Sequence, residues 1–390
     1  MKRFRQRLGN WLETHWVKPA YAGGLCLALS LFYFASATNT MSGWLYAISG
    51  ANFALLGLAA ILPVRSLRRL TVRRHPIDPV SCGERFTVTL DIETPPSRPG
   101  GFGSFGLLQV ADAIPHPLGS FPKTAIEKIP AGGRHRWIYT QLAPRRGVYR
   151  WNEVQLKTAA PLGLFWCRRP RQAPAKAIVY PTVLPLQRCP LIDGIGREDN
   201  PIFSVEERHV QAASEGLTRA LRPYRFGDPM RMIHWRTSAR YGELRVRELE
   251  VFQSGLDAVI ALDTASTWNP EAFEEAAIAA ASLYFYASRQ QLSVKFWSAR
   301  TGSIQGHRVV LEALAEAHFN EMPMGELLPD RPTIWLTSTP DRLGDLPSNS
   351  RWVLWSETPS VKSPYRGIAI APQTDLQQQL QSIPTTRFRP

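Results

Sequence analysis

The sequence predicts a multi-domain chain whose parts follow in order: a two-helix transmembrane hairpin, an all-β sandwich and an α/β open sheet. Three observations carry this. No charged side chain occurs from Pro19 to Val64, a run of 46 residues. From about Thr71 to Pro185 short apolar–polar alternations are broken by Gly and Pro. From Leu256 onward, strand-like and helix-like runs take turns. A length of 390 residues exceeds one ordinary core. With 44% hydrophobic and 20% charged residues, wholesale disorder is excluded.

One helix crosses a bilayer with about 20 apolar residues, so the uncharged run holds two. It divides at the polar stretch Thr38-Asn39-Thr40-Met41-Ser42-Gly43, leaving helices over roughly 20–37 and 43–62. A cleaved signal peptide is the weaker reading, because its apolar region spans only about 7–15 residues and no second span follows it. The chain has 46 Lys and Arg against 32 Asp and Glu, a net charge of +14. Ten of those cations lie in residues 1–74 beside a single acid, Glu13. Basicity concentrated there points to a lipid bilayer, not nucleic acid. Residues 1–18 form a basic N-terminus and 19–64 the hairpin. Cations flank both outer ends and none lies in the turn, so the positive-inside rule places both termini in the cytoplasm. Trp16, Trp44 and Tyr46 fall near the expected interfaces. Cys26, Cys82, Cys167 and Cys189 form no Cys-x-x-Cys pair, which argues against a disulfide framework or zinc knuckle and for a reducing compartment.

Residues 65–185 carry period-two runs such as Phe86–Ile92, His135–Tyr139 and Val154–Lys157. Seven or eight such strands without an amphipathic helix predict an immunoglobulin-like antiparallel sandwich. It gathers no cluster of His, Cys or carboxylates, so a spacer or docking role is expected. The Gly/Pro-rich stretch 94–106 reads as a loop.

Residues 186–250 read as a linker and an arginine-rich segment. Eight arginines between 219 and 247 face two acids, Asp228 and Glu243. Pro223, Gly227 and Pro229 interrupt any helix, which predicts mostly loop. Tyr224, Phe226, Trp235 and Tyr241 interleave with the cations. Guanidinium groups bind carboxylates and phosphates and stack on rings, so the segment could hold an acidic partner or a phosphorylated ligand. Alternatively Asp228, Glu243, Glu248 and Glu250 pair with the arginines and pin the loop internally.

The order Arg222, Tyr224, Gly227, Asp228, Arg231, Ile233, Trp235, Ser238, Ala239, Arg240 resembles the signature of the domain-of-unknown-function 58 family of bacterial membrane-associated proteins. Pro144–Tyr149, Pro161–Phe165 and Val179–Pro181 also resemble that family, with Ala160 where an Asp often stands. The resemblance implies a protein of the bacterial inner membrane working beside a MoxR-type AAA+ ATPase in assembly systems. Arg222, Tyr224, Gly227, Asp228, Arg231, Trp235, Ser238 and Arg240 are the binding candidates.

Residues 251–390 predict a parallel sheet: strands near 256–263, 292–297, 333–337 and 352–355, with helices near 270–291 and 308–319. This order resembles a reduced von Willebrand factor A domain. Such domains place a metal ion at the carboxyl ends of their strands, on an Asp-x-Ser-x-Ser pattern. Asp263 and Thr267 match its ends, but Ala265 stands in the middle, and Thr337-Ser338 stands where a further Asp usually lies. The site is therefore expected to be degenerate and metal-free, Asp263 and Thr267 capping the turn or helix that follows. No phosphate loop, nucleophile elbow or His-Glu-x-x-His motif occurs. The expectation is a cofactor-free, non-enzymatic adaptor that docks a protein partner. The alternatives are an enzyme without a recognisable motif and a binder of anionic ligands.

Overall fold

The computed structural model describes residues 9, 11–96, 104–194, 218–224, 230, 233–249, 257–324, 331–341, 343–344, 346–347, 349–355, 365–371 and 374–383. The chain divides into two compact units, Met1–Thr182 and Val183–Pro390.

In the first unit, helical residues 11–15 lead into the two-residue strand β1 (Lys18–Pro19). Helices α1 (Tyr21–Thr40) and α2 (Gly43–Arg68) follow. The predicted polar turn shrinks to Met41 and Ser42, where Met41 reverses the chain at a left-handed φ of 53°. Both helices are long and apolar enough to cross a membrane. Apolar side chains such as Phe32 and Ile61 are 67% and 55% exposed, so protein packing does not satisfy them. α2 runs six residues past the predicted end because its last turn leaves the apolar run and enters a protein core. Leu67 and the following Leu70 are buried among the β residues.

Eight more strands follow: β2 (Thr71–Arg74), β3 (Val80–Ser81), β4 (Arg85–Glu93), β5 (Ser104–Asp112), β6 (Lys123–Pro130), β7 (Arg134–Leu142), β8 (Gly147–Thr158) and β9 (Phe165–Tyr180). One sheet has the order β1-β9-β8-β5-β6, with β3 also on β9; the other is β2-β4-β7. All pairings are antiparallel except β3 with β9. The alternation read from the sequence explains the packing: Phe86, Val88 and Leu90 of β4 share one core with Val110 of β5 and Val154 and Leu156 of β8. Most of the loop expected over 94–106 lies outside the described residues.

Strand β9 also holds the roots of both helices. β1 pairs with its first residues, Lys18 opposite Trp166. Ala20 N–H donates to Leu164 O at 2.8 Å, and a Cβ on Gly23 would lie 2.0 Å from that oxygen. Arg171 donates from Nε to Leu70 O at 3.0 Å and from Nη2 to Leu67 O, closing the open carbonyl end of α2. Arg169 does the same for residues 11–15, reaching Thr14 O at 2.5 Å and Trp16 O at 3.0 Å.

Two carboxylates organise the β layers. Asp112 is fully buried and accepts from Arg74 Nη2 at 2.9 Å, from Arg74 Nη1, from Tyr139 Oη at 2.6 Å and from Trp151 Nε1 at 3.0 Å. Burial, and then the Asp112 charge, push the Tyr139 hydroxyl far above its ordinary pKa. Asp91 accepts from Arg136 Nε at 2.9 Å, His75 Nε2 at 2.8 Å and Arg134 Nη1 at 3.2 Å. Hydrogen bonds from Arg136 and then His75 hold its carboxyl well below the ordinary 3.8. A depressed carboxylate stabilises the fold above its unfolded pKa, and that contribution disappears as pH falls through the folded one. Between about pH 4 and 2, wild type should therefore lose stability more steeply than Asp91→Asn, as read from thermal melts across pH.

In the second unit, residues 183–194 join a core, although the sequence placed 186 onward in a linker. Leu186, Cys189, Leu191 and Ile192 are buried there, the last two on the short helix α3 (Pro190–Asp193). All four cysteines are free thiols, and burial pushes Cys189 up to about 12. A strand pair follows, β10 (Thr218–Pro223) and β11 (Arg245–Leu249), with helix α4 (Trp235–Tyr241) between them in sequence.

The remaining elements are β12 (Asp257–Leu262), α5 (Pro270–Arg289), β13 (Ser293–Ser298), β14 (Gly302–Ile304), α6 (His307–Glu316), β15 (Thr333–Thr337), β16 (Arg351–Trp355), β17 (Gly367–Ile370) and α7 (Leu376–Leu380). Their sheet order is β14-β13-β12-β15-β16-β17, parallel except for β14. After Asp257, β12 is apolar because both its faces are covered. Ala258, Ile260 and Leu262 join one core and Val259 and Ala261 the other. α5 starts where expected: Asn269 Oδ1 accepts from Glu271 N–H at 3.0 Å, and Pro270 opens the first turn. The order of strands reverses between β12 and β15, and open α/β sheets leave a crevice at the carboxyl ends beside such a switch.

Candidate docking site

Where it is described, the arginine-rich segment is built, not looped. β10 and β11 pair antiparallel, Arg222 opposite Val246, and Tyr224 N–H donates to Leu244 O at 2.8 Å. The residues that forbid a helix, Pro223, Gly227 and Pro229, lie before residue 235. The seven residues of α4 contain no Gly or Pro. His234 caps its start, Nδ1 accepting from Thr237 N–H at 3.2 Å, and Gly242 ends it at a left-handed φ of 70°. Ser238 fastens the helix to β11: its hydroxyl donates to His234 O at 3.1 Å and accepts from Arg245 N–H at 2.9 Å. The Arg245 guanidinium lies 4.4 Å above the Tyr241 ring. Ser238→Ala should leave the Arg245 amide without this acceptor and cost about 1–3 kcal/mol locally. Limited proteolysis should then cut faster between 234 and 245.

The opposite side of α4 is open. Trp235 and Tyr241 are 62% and 58% exposed, and Arg236 and Arg240 are exposed beside them. Among the described residues, Arg236, Arg240 and Glu243 make no ion pair. Among the described residues Glu243 thus pins no arginine; Asp228, Glu250 and the side chain of Glu248 lie outside them. Of the sequence candidates, the structure brings Ser238 inward, leaves Trp235 and Arg240 outward and half-buries Tyr224. Arg222 is placed by its backbone on β10. Gly227, Asp228 and Arg231 lie outside the described residues.

A second polar group lies at the switch point, at the carboxyl ends of β12 and β15. Asp263, 2% exposed, follows β12 and donates its N–H to Leu336 O at 2.9 Å. Its Oδ2 accepts from Ser266 Oγ at 2.6 Å and from Thr337 Oγ1 at 2.9 Å. Thr339 N–H donates to Thr337 Oγ1 at 3.1 Å. Thr267 does not join this group; it is exposed and donates to Asn320 Oδ1 at 3.1 Å. The hydroxyls that hold Asp263 are thus Ser266, which the spacing rule passes over, and Thr337, which stands where that rule expects a carboxylate. Their signal was the Ser/Thr content of two loops at the ends of neighbouring parallel strands. One carboxylate already engaged by two hydroxyls does not fit a hard divalent cation, which takes several oxygen ligands and more charge. Among the described residues, no three His, Cys, Asp or Glu side chains come together as a metal site. Glu321 N–H donates to Thr264 O at 2.9 Å and Met324 N–H to Ala299 O at 2.9 Å, so residues 321–324 cross the strand ends beside Asp263. Met322 and Met324 are 85% and 76% exposed there.

Residues 220–322 match the family model described as "Protein of unknown function DUF58". Over that segment the chain is similar to the DUF58 family. The DUF58 match begins in β10, contains α4 and the Asp263 loop, and ends after α6. No curated protein matches the chain. Among solved structures, the CARDB domain of a Pyrococcus furiosus protein aligns at 12% identity, covering 28% of this chain and 94% of that one, with a TM-score of 0.20. Pseudomonas fluorescens alkylpurine DNA glycosylase bound to DNA with an abasic-site analogue aligns at 11% identity, covering 37% and 40%, with a TM-score of 0.18. The chain thus spans less than half the length of the glycosylase. Neither likeness is close enough to carry an argument about fold or function.

Proposed function

We propose that this protein is an adaptor of the bacterial inner membrane that docks a protein partner, a MoxR-type AAA+ ATPase being the partner the family resemblance implies. Helices α1 and α2 span the membrane and leave both termini in the cytoplasm. The first unit is an immunoglobulin-like spacer. The α/β part is a von Willebrand factor A-like domain, a reading supported by its 3-2-1-4-5-6 strand order with one antiparallel strand, β14.

The observation that carries the proposal is the outward side of α4. It presents two aromatic rings and two guanidiniums without an ion-pair partner among the described residues, the side-chain types that dominate binding hot spots. An acidic, partly apolar surface complements it. The exposed methionines beside Asp263 offer a second, adaptable contact. The test is co-purification of the full-length protein with the ATPase from solubilised membranes. Combining Trp235→Ala with Arg240→Glu should weaken recovery about tenfold or more, the size of a hot-spot loss. Thermal melting should stay unchanged, because neither side chain is buried. Wild-type-like recovery by the variant would remove α4 from the interface. Release of the partner by a small phosphorylated compound would move the reading to anionic-ligand binding.

A further inference from the structure

We infer that the root of α2 is a binding site for the headgroup of an anionic phospholipid, formed by Arg65, Arg68 and Arg69. The inference rests on the reading of α1 and α2 as a membrane hairpin, and it names which lipid the protein meets and where.

The three arginines stand at i, i+3 and i+4, so they share one side of the last turn of α2. Leu67 and Leu70 point into the β core and fix that turn. Arg171 secures its carbonyl end from β9, so the guanidiniums are presented on a rigid mount. All three are exposed, and among the described residues none makes an ion pair or hydrogen bond. Their depth suits a headgroup. α1 rises about 30 Å at 1.5 Å per residue, so the returning α2 reaches the same level near residue 62. Arg65 then lies at the level of Lys18, and Arg68 and Arg69 about one turn farther from the bilayer. Lys18 and the 70%-exposed Trp16 stand at the root of α1, where interfacial rings and cations sit.

No countercharge is available nearby in sequence: from Thr14 to Ile77 the chain has no Asp or Glu. Glu13 is turned inward, 4% exposed and 2.7 Å from Lys157 Nζ. Guanidiniums bind phosphate oxygens bidentately, and juxtamembrane cation clusters select anionic lipids. A structural role would have paired these arginines within the protein, as Arg74 and Arg136 are paired.

The test uses full-length protein in detergent. Thermal melting is followed with added phosphatidylglycerol, phosphatidylcholine, glycerol phosphate or inorganic phosphate, and bound lipids are counted by native mass spectrometry. Phosphatidylglycerol should raise the melting temperature and remain bound, while phosphatidylcholine does neither. In Arg65→Gln/Arg68→Gln/Arg69→Gln, the preference for phosphatidylglycerol should fall about tenfold or more. The matching triple lysine variant should retain most of it. Should the triple glutamine variant fail to fold, Arg68→Gln alone should lower the preference partway. Equal protection by both lipids, or an undiminished preference in the glutamine variants, overturns the inference. A response reproduced by glycerol phosphate or inorganic phosphate assigns the site to a soluble anion and also overturns it. Extraction of the chain without detergent would instead overturn the hairpin on which it rests.

Discussion

Asp112→Ala is expected to destabilise the first unit by about 3–5 kcal/mol, the range for stranding one partner of a buried ion pair. Arg74 and Asp112 side chains are 1% and 0% exposed, so the guanidinium left behind has no water to turn to. Tyr139 Oη and Trp151 Nε1 lose their acceptor at the same time. Loss of exchange protection at the β5 and β8 amides would check this, because β5 carries Asp112 and β8 carries Trp151. The companion result separates charge from packing. Arg74→Met with Asp112→Leu should recover much of the loss, since an apolar pair of similar volume removes both desolvated charges. A single variant as stable as wild type would mean that the pair is not buried as described.

The second large effect is expected at Gly367. A Cβ there would lie 2.0 Å from Cδ2 of Trp352 and 2.4 Å from Cε2, both in a ring that is 1% exposed. The two residues are opposite each other in the β16–β17 ladder, so neither backbone can move without breaking register. Gly367→Ala should force the indole aside, lose its 2.8 Å bond from Nε1 to Tyr365 O and cost about 1–3 kcal/mol or more. Thermal melting gives the cost, and a red-shifted tryptophan emission would report water reaching the ring. In the Gly367→Ala background, Trp352→Phe should be less damaging than in wild type, because the smaller ring relieves the contact.

The legible part of the fold was what repeats locally. The two helices, strands such as β4 and β7, and the β12–α5–β13 unit were predicted because period-two alternation, caps and uncharged runs are written in adjacent residues. β14, β17 and α7 were missed because three to five residues carry too little periodicity. The helix α4 is hidden for a different reason: Pro223, Gly227 and Pro229 break any helix upstream of it, while its own seven residues are too few to show a period. In the candidate site, Asp263 was legible as a residue at a strand end, but its partner was misassigned. Whether Ser266 or Thr267 turns toward the carboxylate depends on the turn after β12, which Trp268 Nε1 fixes by donating to Asp263 O at 2.7 Å. Thr337 is 74 positions away and reaches Asp263 only through the pairing of β12 with β15. The outward Trp235 and Arg240 were named from the signature, yet only three dimensions distinguish them from the inward Ser238.

The attachment of both helices to β9 also bears on how the protein can be cut. A soluble fragment beginning at Thr71 would strip Arg171 of its carbonyls at Leu67 and Leu70, and Arg169 of those in residues 13–16. It would also uncover the edge of β9 that β1 closes and the apolar socket of Leu67. Such a fragment gains solubility from losing the helices and gives much of it back as a sticky margin. Preparations that keep residues 11–74 should stay monodisperse longer than those trimmed to the β strands.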